Sequence, residues 1–191
     1  MKVSLCDYDP AWAAGFAVEG PRLEQALAGF GGRVEHIGST SVPGLAAKPV
    51  LDILIGLPDG GKLDRAAFTL LRLGYIYIRH YEKYMPYRRY LIRVEAPPGA
   101  ELPAIVDSEV NAVDRARYPH THHLHMVTIG SEFWTRHLLF REYLRTHDEA
   151  RDAYAALKRE LAQQDWESTN HYADAKSDFV RDIEAKAANG Q

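Results

Sequence analysis

The sequence predicts an α+β fold: a mixed β-sheet flanked by helices and closed by a C-terminal helical hairpin or bundle. Three observations carry that expectation. Val50-Leu51-Asp52-Ile53-Leu54-Ile55 places branched apolar residues on both faces, the pattern of a strand inside a sheet rather than at its edge. Apolar residues at helical spacing lie on either side of it, in residues 10–29 and 62–73. Beyond Ser131 the periodicity is helical alone. A chain of 191 residues is long enough for a sizeable core. We divide it into an α/β core at 1–130 and a helical region at 131–191, packed on that core as a single compact unit.

Asp7 and Asp9 before Pro10 make a helix opening, with acid at the cap and proline in the first turn. Trp12, Phe16, Leu23 and Leu27 share one side of the helix that follows. Gly20-Pro21 predicts a kink or two consecutive pieces, and Gly31-Gly32 ends it. Arg33 to Ile37 is a short strand delivering Glu35 and His36 to the next loop, where His36 reads as a hydrogen-bond partner. After the central strand, Pro58-Asp59-Gly60-Gly61 turns the chain. Lys62 to Leu73 is a helix with Leu63, Ala67, Leu70 and Leu71 inward, stopped by Gly74. Tyr75 to Arg79 alternates as a strand does. Tyr81 to Tyr90, crowded with tyrosines and cations, then leads into a strand at Leu91–Val94. Residues 96–119 are polar and proline-bearing, longer than an ordinary hairpin connection, with a short extra strand expected at 105–110. His122 to Ile129 is the last strand. Ser131 and Asp148 cap two helices, and a third runs from about Ser168 to Ala187 on Tyr172, Phe179 and Ile183.

Chemistry concentrates in two places. In the first, Gly38-Ser39-Thr40-Ser41 precedes Lys48 and Asp52. A carboxylate in a buried strand needs a hydrogen bond, a cation or a metal, because leaving it bare is costly. Backbone N–H groups, hydroxyls and a lysine are the parts of a polyanion cradle, although the spacing to the lysine is not that of a Walker loop. Two readings stand here. One is a phosphate-gripping loop beside a metal-binding carboxylate. The other is a turn and a core strand, with Asp52 satisfied by an arginine or by backbone. In the second place, a strand from residue 122 puts His123 and His125 on one face. With Asp52 on a neighbouring strand they make a three-ligand site for a divalent metal, Mg, Mn or Zn-like. Mixed nitrogen and oxygen donors suit zinc, manganese or iron better than magnesium. The competing reading has one histidine hydrogen-bonded in the core and the other touching substrate.

Two blocks resemble the GrpB family. The first is Tyr8-Asp9-Pro10-Ala11-Trp12 followed by His36-Ile-Gly-Ser-Thr-Ser-Val-Pro-Gly-Leu-Ala-Ala-Lys-Pro-Val-Leu-Asp52-Ile53. The second runs from His123-Leu-His-Met through Trp134, Phe140-Arg-Glu-Tyr-Leu-Arg145 and Tyr154-Ala-Ala-Leu-Lys158 to Lys176. The resemblance implies a nucleotidyltransferase-like fold, in which a Gly-Ser turn joins a strand bearing an Asp-x-Asp pair that holds metal against a nucleoside triphosphate. This sequence departs from that pattern. The same-face neighbours of Asp52 are Val50 and Leu54, so two-metal chemistry does not transfer whole. Asp107, Glu109 and Asp114, in the 96–119 segment that reads as an insertion, are the candidates for a second acid. Among the cations in the matching blocks (Arg141, Arg145, Lys158, Lys176), Arg141 and Lys176 are expected to reach phosphate.

The expectation is therefore a metal-dependent, nucleotidyltransferase-like enzyme that binds a nucleotide or another phosphorylated small molecule. Asp52, Ser39 and Lys48 are its catalytic candidates. Gly38, Ser39, Thr40, Arg88, Arg141 and Lys176 hold phosphate, and Asp52, His123 and His125 hold the metal. The alternatives are a non-catalytic binding module that has lost the acid pair and a metal-dependent phosphoester hydrolase. A net charge of -3 argues against general nucleic-acid binding. The one cysteine, Cys6, forms no internal disulfide and suits a reducing compartment. With no leader-like or membrane-length apolar run, a cytoplasmic protein without a membrane partner is expected.

Overall fold

A computed structural model describes residues 2–190, with side chains for all but residues 111, 169 and 170. Five strands, β1 (Arg33–Ile37), β2 (Leu51–Leu57), β3 (Ile76–Tyr77), β4 (Arg89–Val94) and β5 (His120–Thr128), form one sheet in the order β1-β2-β5-β4-β3. β2 and β5 run parallel at its centre, and the other three pairings are antiparallel. The helices are α1 (Ala11–Ala26), α2 (Leu63–Leu71), α3 (Glu132–Thr146), α4 (Asp148–Ala162), α5 (Thr169–Asp174) and α6 (Ser177–Ala188). This is the mixed sheet flanked by helices that the apolar patterning predicts.

Alternation along β2 sorts the two faces. Leu51, Ile53, Ile55 and Leu57, with Leu124 and Met126 of β5 and Leu91 of β4, pack against Trp12, Leu23 and Leu27 and against Leu63, Ala67 and Leu70 of α2. Each such burial is worth about 2 kcal/mol, so this face supplies most of the cohesion. α1 is also pinned there by charge. Buried Glu19 accepts from Arg93 at 2.9 Å, from the Tyr75 hydroxyl at 2.7 Å and from Arg22 at 3.2 Å. Contrary to the expected kink, α1 is one continuous helix through Gly20-Pro21. Pro21 and Ala17 lie on its exposed side, so the carbonyl left without an N–H faces water.

On the opposite face, Leu54 and Val127 pack with Ile37 under Trp134 of α3. Gly56 makes that approach possible, since a Cβ there would lie 2.4 Å from the Trp134 ring. α3 thus covers the C-terminal half of β2 and β5. The helical region also packs on the loop before β2, where Val42 and Leu45 meet Leu144, Tyr154, Ala155 and Ile183.

Three local expectations change. The third C-terminal helix is two, broken at Ala175-Lys176. β3 is only two residues long, because the chain turns into a 3-10 segment at Arg79–Lys83. The strand expected at 105–110 is a single bridge from Ile105 to Tyr77 followed by a 3-10 turn. Val106 is nonetheless buried against Ile76, Ile78 and Ile92, which gives the short pattern its apolar look. Among the described residues no helix is long and apolar enough to cross a membrane.

Candidate functional site

The half of the sheet face that α3 leaves open is the floor of a cavity of about 1120 Å³. Strand register builds that floor. Asp52 of β2 sits opposite His123 of β5 and Leu54 opposite His125, while β4 places Ile92 beside His123 and Tyr90 beside His125. Asp52 Oδ1 is 3.1 Å from His123 Nδ1 and 3.8 Å from His125 Nε2. His123 Nε2 in turn is 3.0 Å from His120 Nδ1. Arg88 Nη1 donates to His125 Nδ1 at 3.2 Å. A guanidinium only donates, so the His125 proton lies on Nε2, facing Asp52. Burial alone would raise the Asp52 pKa. The hydrogen bond from His123, with the Nε2–H of His125 facing the carboxylate, outweighs it and holds the carboxyl well below the usual range. Burial pushes His125 down, opposed by its hydrogen bond to Asp52.

The Gly-Ser loop crosses this floor closely. Gly38 has φ +68°, and a Cβ there would lie 2.6 Å from Asp52 Oδ2, so both conformation and proximity require glycine. Ser39–Ser41 then forms a 3-10 turn. Buried His36 shares a 2.9 Å hydrogen bond with Thr40 Oγ1 and stacks on Phe16, and Ser41 Oγ donates to the Gly38 carbonyl. Burial holds His36 down to about 4, so it is a neutral structural partner. From behind, Arg145 donates twice to the Ser41 carbonyl, at 2.8 and 3.0 Å. Arg141 donates to the His36 carbonyl and pairs with Glu35, both at 2.8 Å, and with Glu142 at 2.7 Å. Arg141 does not line the cavity, in contrast to its expected place at a phosphate. Its charge is taken up by Glu35 and Glu142, and it clamps the loop.

Five other cations line the cavity: Lys48, Arg88, Arg115, Lys158 and Lys176. The ion pairs within the lining are those of Asp52 with the two imidazoles, so none of the five has a carboxylate partner among the described residues. Lys48 and Lys176 both approach one ring, Tyr172, at 4.6 and 4.4 Å. Arg88 lies 5.2 Å from the Tyr90 ring and 5.7 Å from that of Phe133. Burial lowers Lys176 to about 8, helped by the charge of Lys48. It lowers Lys158 to about 7, helped by Lys176 and Arg159, and it pushes Lys48 and Arg88 down as well. Among the described residues, the buried side-chain atoms without a hydrogen-bond partner are Arg88 Nε and Tyr172 Oη. Both residues line the cavity, and each such orphan costs about 1–3 kcal/mol.

Gly38 sets the loop over Asp52, while Ser39, Thr40, Lys48, Asp52, Arg88, His123, His125 and Lys176 come together around the cavity. Their arrangement does not fit a resident metal. Among the described residues no three or more His, Cys, Asp or Glu converge to hold one. Asp52 and His123 are hydrogen-bonded in series with His120, and His125 is hydrogen-bonded to Arg88. No second acid joins them: Asp107 pairs with Arg79, Asp114 caps its own turn, and Glu109 is exposed at the rim. One floor carboxylate and two exposed acids, Glu109 and Asp174, among five cations suit an anion better than a cation.

Arg115 and His120 were given no role by sequence, and Lys158 was named among the cations of the matching blocks without a place in the site. For Lys158 the signal was present. It stands in the buried stripe Tyr154, Ala155, Lys158, Leu161 of α4, and a lysine at an inward position needs a reason to be there.

The GrpB protein family matches residues 2–186 of this chain. The UPF0157 protein BH1888 of Halalkalibacterium halodurans is 34% identical over 187 residues, covering 97% of this chain and 82% of its own. A protein of Mycolicibacterium paratuberculosis named dephospho-CoA kinase is 30% identical over 189 residues, 97% of this chain and 46% of its own length. The crystal structure of conserved protein GrpB from Enterococcus faecalis superposes with a TM-score of 0.75 at 33% identity, covering 98% of both chains.

Proposed function

The chain belongs to the GrpB family, and from that premise we propose that its cavity binds a phosphorylated small molecule of nucleotide size. One observation carries the reading: five cations face one cavity and none is paired with a carboxylate. Assembling more cations than the lining acids Asp52, Glu109 and Asp174 balance is unfavourable in the empty protein and becomes favourable when a polyanion enters. Lys48 and Lys176, set against Tyr172, receive phosphate oxygens. Arg88, at the end where Tyr81, Tyr84, Met85 and Tyr90 line the wall, offers its unpartnered Nε and flat faces for the uncharged part of the ligand. Asp52 accepts hydrogen bonds in the floor and sets the imidazole orientations. A relative named for dephospho-CoA supports a nucleotide-bearing ligand, and the volume of the cavity accommodates one.

Thermal unfolding with tripolyphosphate, ATP or dephospho-CoA tests this. A ligand at 100 times its Kd adds about 2.7 kcal/mol of apparent stability, so a clear upward shift is expected, retained in EDTA and lost in Lys176→Ala, while Arg88→Met loses it with ATP and dephospho-CoA and keeps it with tripolyphosphate. Absence of any shift at millimolar concentration rejects the reading. A shift that appears only with Mn²⁺ or Mg²⁺ and disappears in Asp52→Ala would instead assign the metal-dependent chemistry that the family resemblance implies.

A further inference from the structure

Lys158 and Ser39 meet in the wall of the cavity in a way that holding phosphate does not explain. Lys158 is 2% exposed, reaching in from α4 with Nζ 2.9 Å from Ser39 Oγ and hydrogen-bonded to the Ala46 carbonyl. The Tyr154 ring lies 4.7 Å from Nζ. The charged groups that bear on it are both cations, Lys176 from the α5–α6 junction and Arg159 beside it on α4. Phosphate binding calls for a permanently charged ammonium within reach of the ligand. Lys158 lines the cavity, but its Nζ is committed to Ser39 and the Ala46 carbonyl, and burial with two cationic neighbours brings it down to about 7. An uncharged amine has two N–H groups and one lone pair. One N–H suffices for the Ala46 carbonyl, and the lone pair is then free to accept the Ser39 O–H. Ser39 itself opens the 3-10 turn after Gly38 and lines the cavity, so its oxygen has access to whatever the cavity holds.

We infer that Ser39 is a nucleophile and Lys158 its general base, acting on a phosphoryl centre of the ligand. The inference rests on the reading that the cavity takes a phosphorylated ligand. In the step, the Ser39 proton passes to Lys158 Nζ as the Oγ–P bond forms. The bond from phosphorus to the leaving oxygen breaks, its electron pair departs with that oxygen, and Lys158 returns the proton to it. The product is a phosphoserine enzyme, with phosphoanhydrides and phosphate esters as the donor class. Lys48 and Lys176 offset charge on the non-bridging oxygens.

The test uses the full chain and an alkyl fluorophosphonate, which replaces its P–F bond by a bond to a nucleophilic serine and releases fluoride. One phosphonyl group is expected, mapped to Ser39 by peptide mass spectrometry and absent in Ser39→Ala. Its rate should rise with pH through about 7 and fall by about 100-fold in Lys158→Met, the lower range for loss of a general base. Should Lys158→Met fail to fold, the pH profile of the unmodified chain decides alone. Labelling at other residues only, a rate flat from about pH 5.5 to 8.5 (a window set around that lysine), or labelling undiminished in a folded Lys158→Met overturns the inference. Tripolyphosphate separates the two failures. Stabilisation with an inert Ser39 rejects the nucleophile alone, whereas no stabilisation rejects the binding reading beneath it.

Discussion

Two groups of buried charge lie on opposite faces of the sheet, and they are built on opposite principles. On the α1 side, Glu19 is met by Arg93, Arg22 and the Tyr75 hydroxyl. Every strong donor there ends on the carboxylate or on the Leu73 carbonyl. On the other side, Asp52 is met only by imidazoles, and none of the five cations lining the cavity has a carboxylate partner among the described residues. The first group is complete and holds two elements together. The second is incomplete, and incompleteness at that density marks a place for something else. Clustered charges thus carry different meanings, and the pairing decides which.

The largest effect that would break this comparison is at Glu19. Glu19→Ala leaves Arg93 and Arg22 facing each other without an acid, and about 3–5 kcal/mol should be lost, read as a lower urea midpoint. A loss under about 1 kcal/mol would place that cluster in the same class as surface pairs. Lys176→Met should do the reverse in the empty protein. Removing one of several crowded cations leaves stability unchanged or raises it by about 1 kcal/mol, while abolishing the tripolyphosphate shift. Substantial destabilisation there would make the lysines structural.

The pH profile sharpens the contrast further. Lys158 and Lys176 ordinarily titrate at 10.5 but in the folded chain near 7 and 8. Between those values the unfolded chain holds protons that the folded chain has shed, so stability climbs as pH rises from about 7 toward 10.5. Lys158→Met should flatten that climb in a series of denaturant melts, and an unchanged slope would mean that the crowding of charge is not felt.

Much of the fold was legible because it rests on periodicity. β2 reads as buried on both sides, α2 shows an inward stripe ended by Gly74, and Ser131 caps α3 through the Trp134 N–H. The continuity of α1 was not, since a proline in a sequence does not say which way its lost carbonyl partner faces. The pairing of Asp52 with His123 depends on register between strands about 70 residues apart, which the spacing of histidines on β5 could suggest but not fix. Arg141 and Lys176 looked alike as cations on helices. Only three dimensions show that Glu35 and Glu142 occupy one of them, while the break between α5 and α6 turns the other onto Tyr172.

That shared tyrosine has a consequence for synthesis. The floor is made by residues translated early, and the amines above it arrive with α4 and the α5–α6 bend. A nascent chain therefore displays an incomplete set of cations until its closing helices emerge and dock. The docking of those helices completes the set of cations around the cavity.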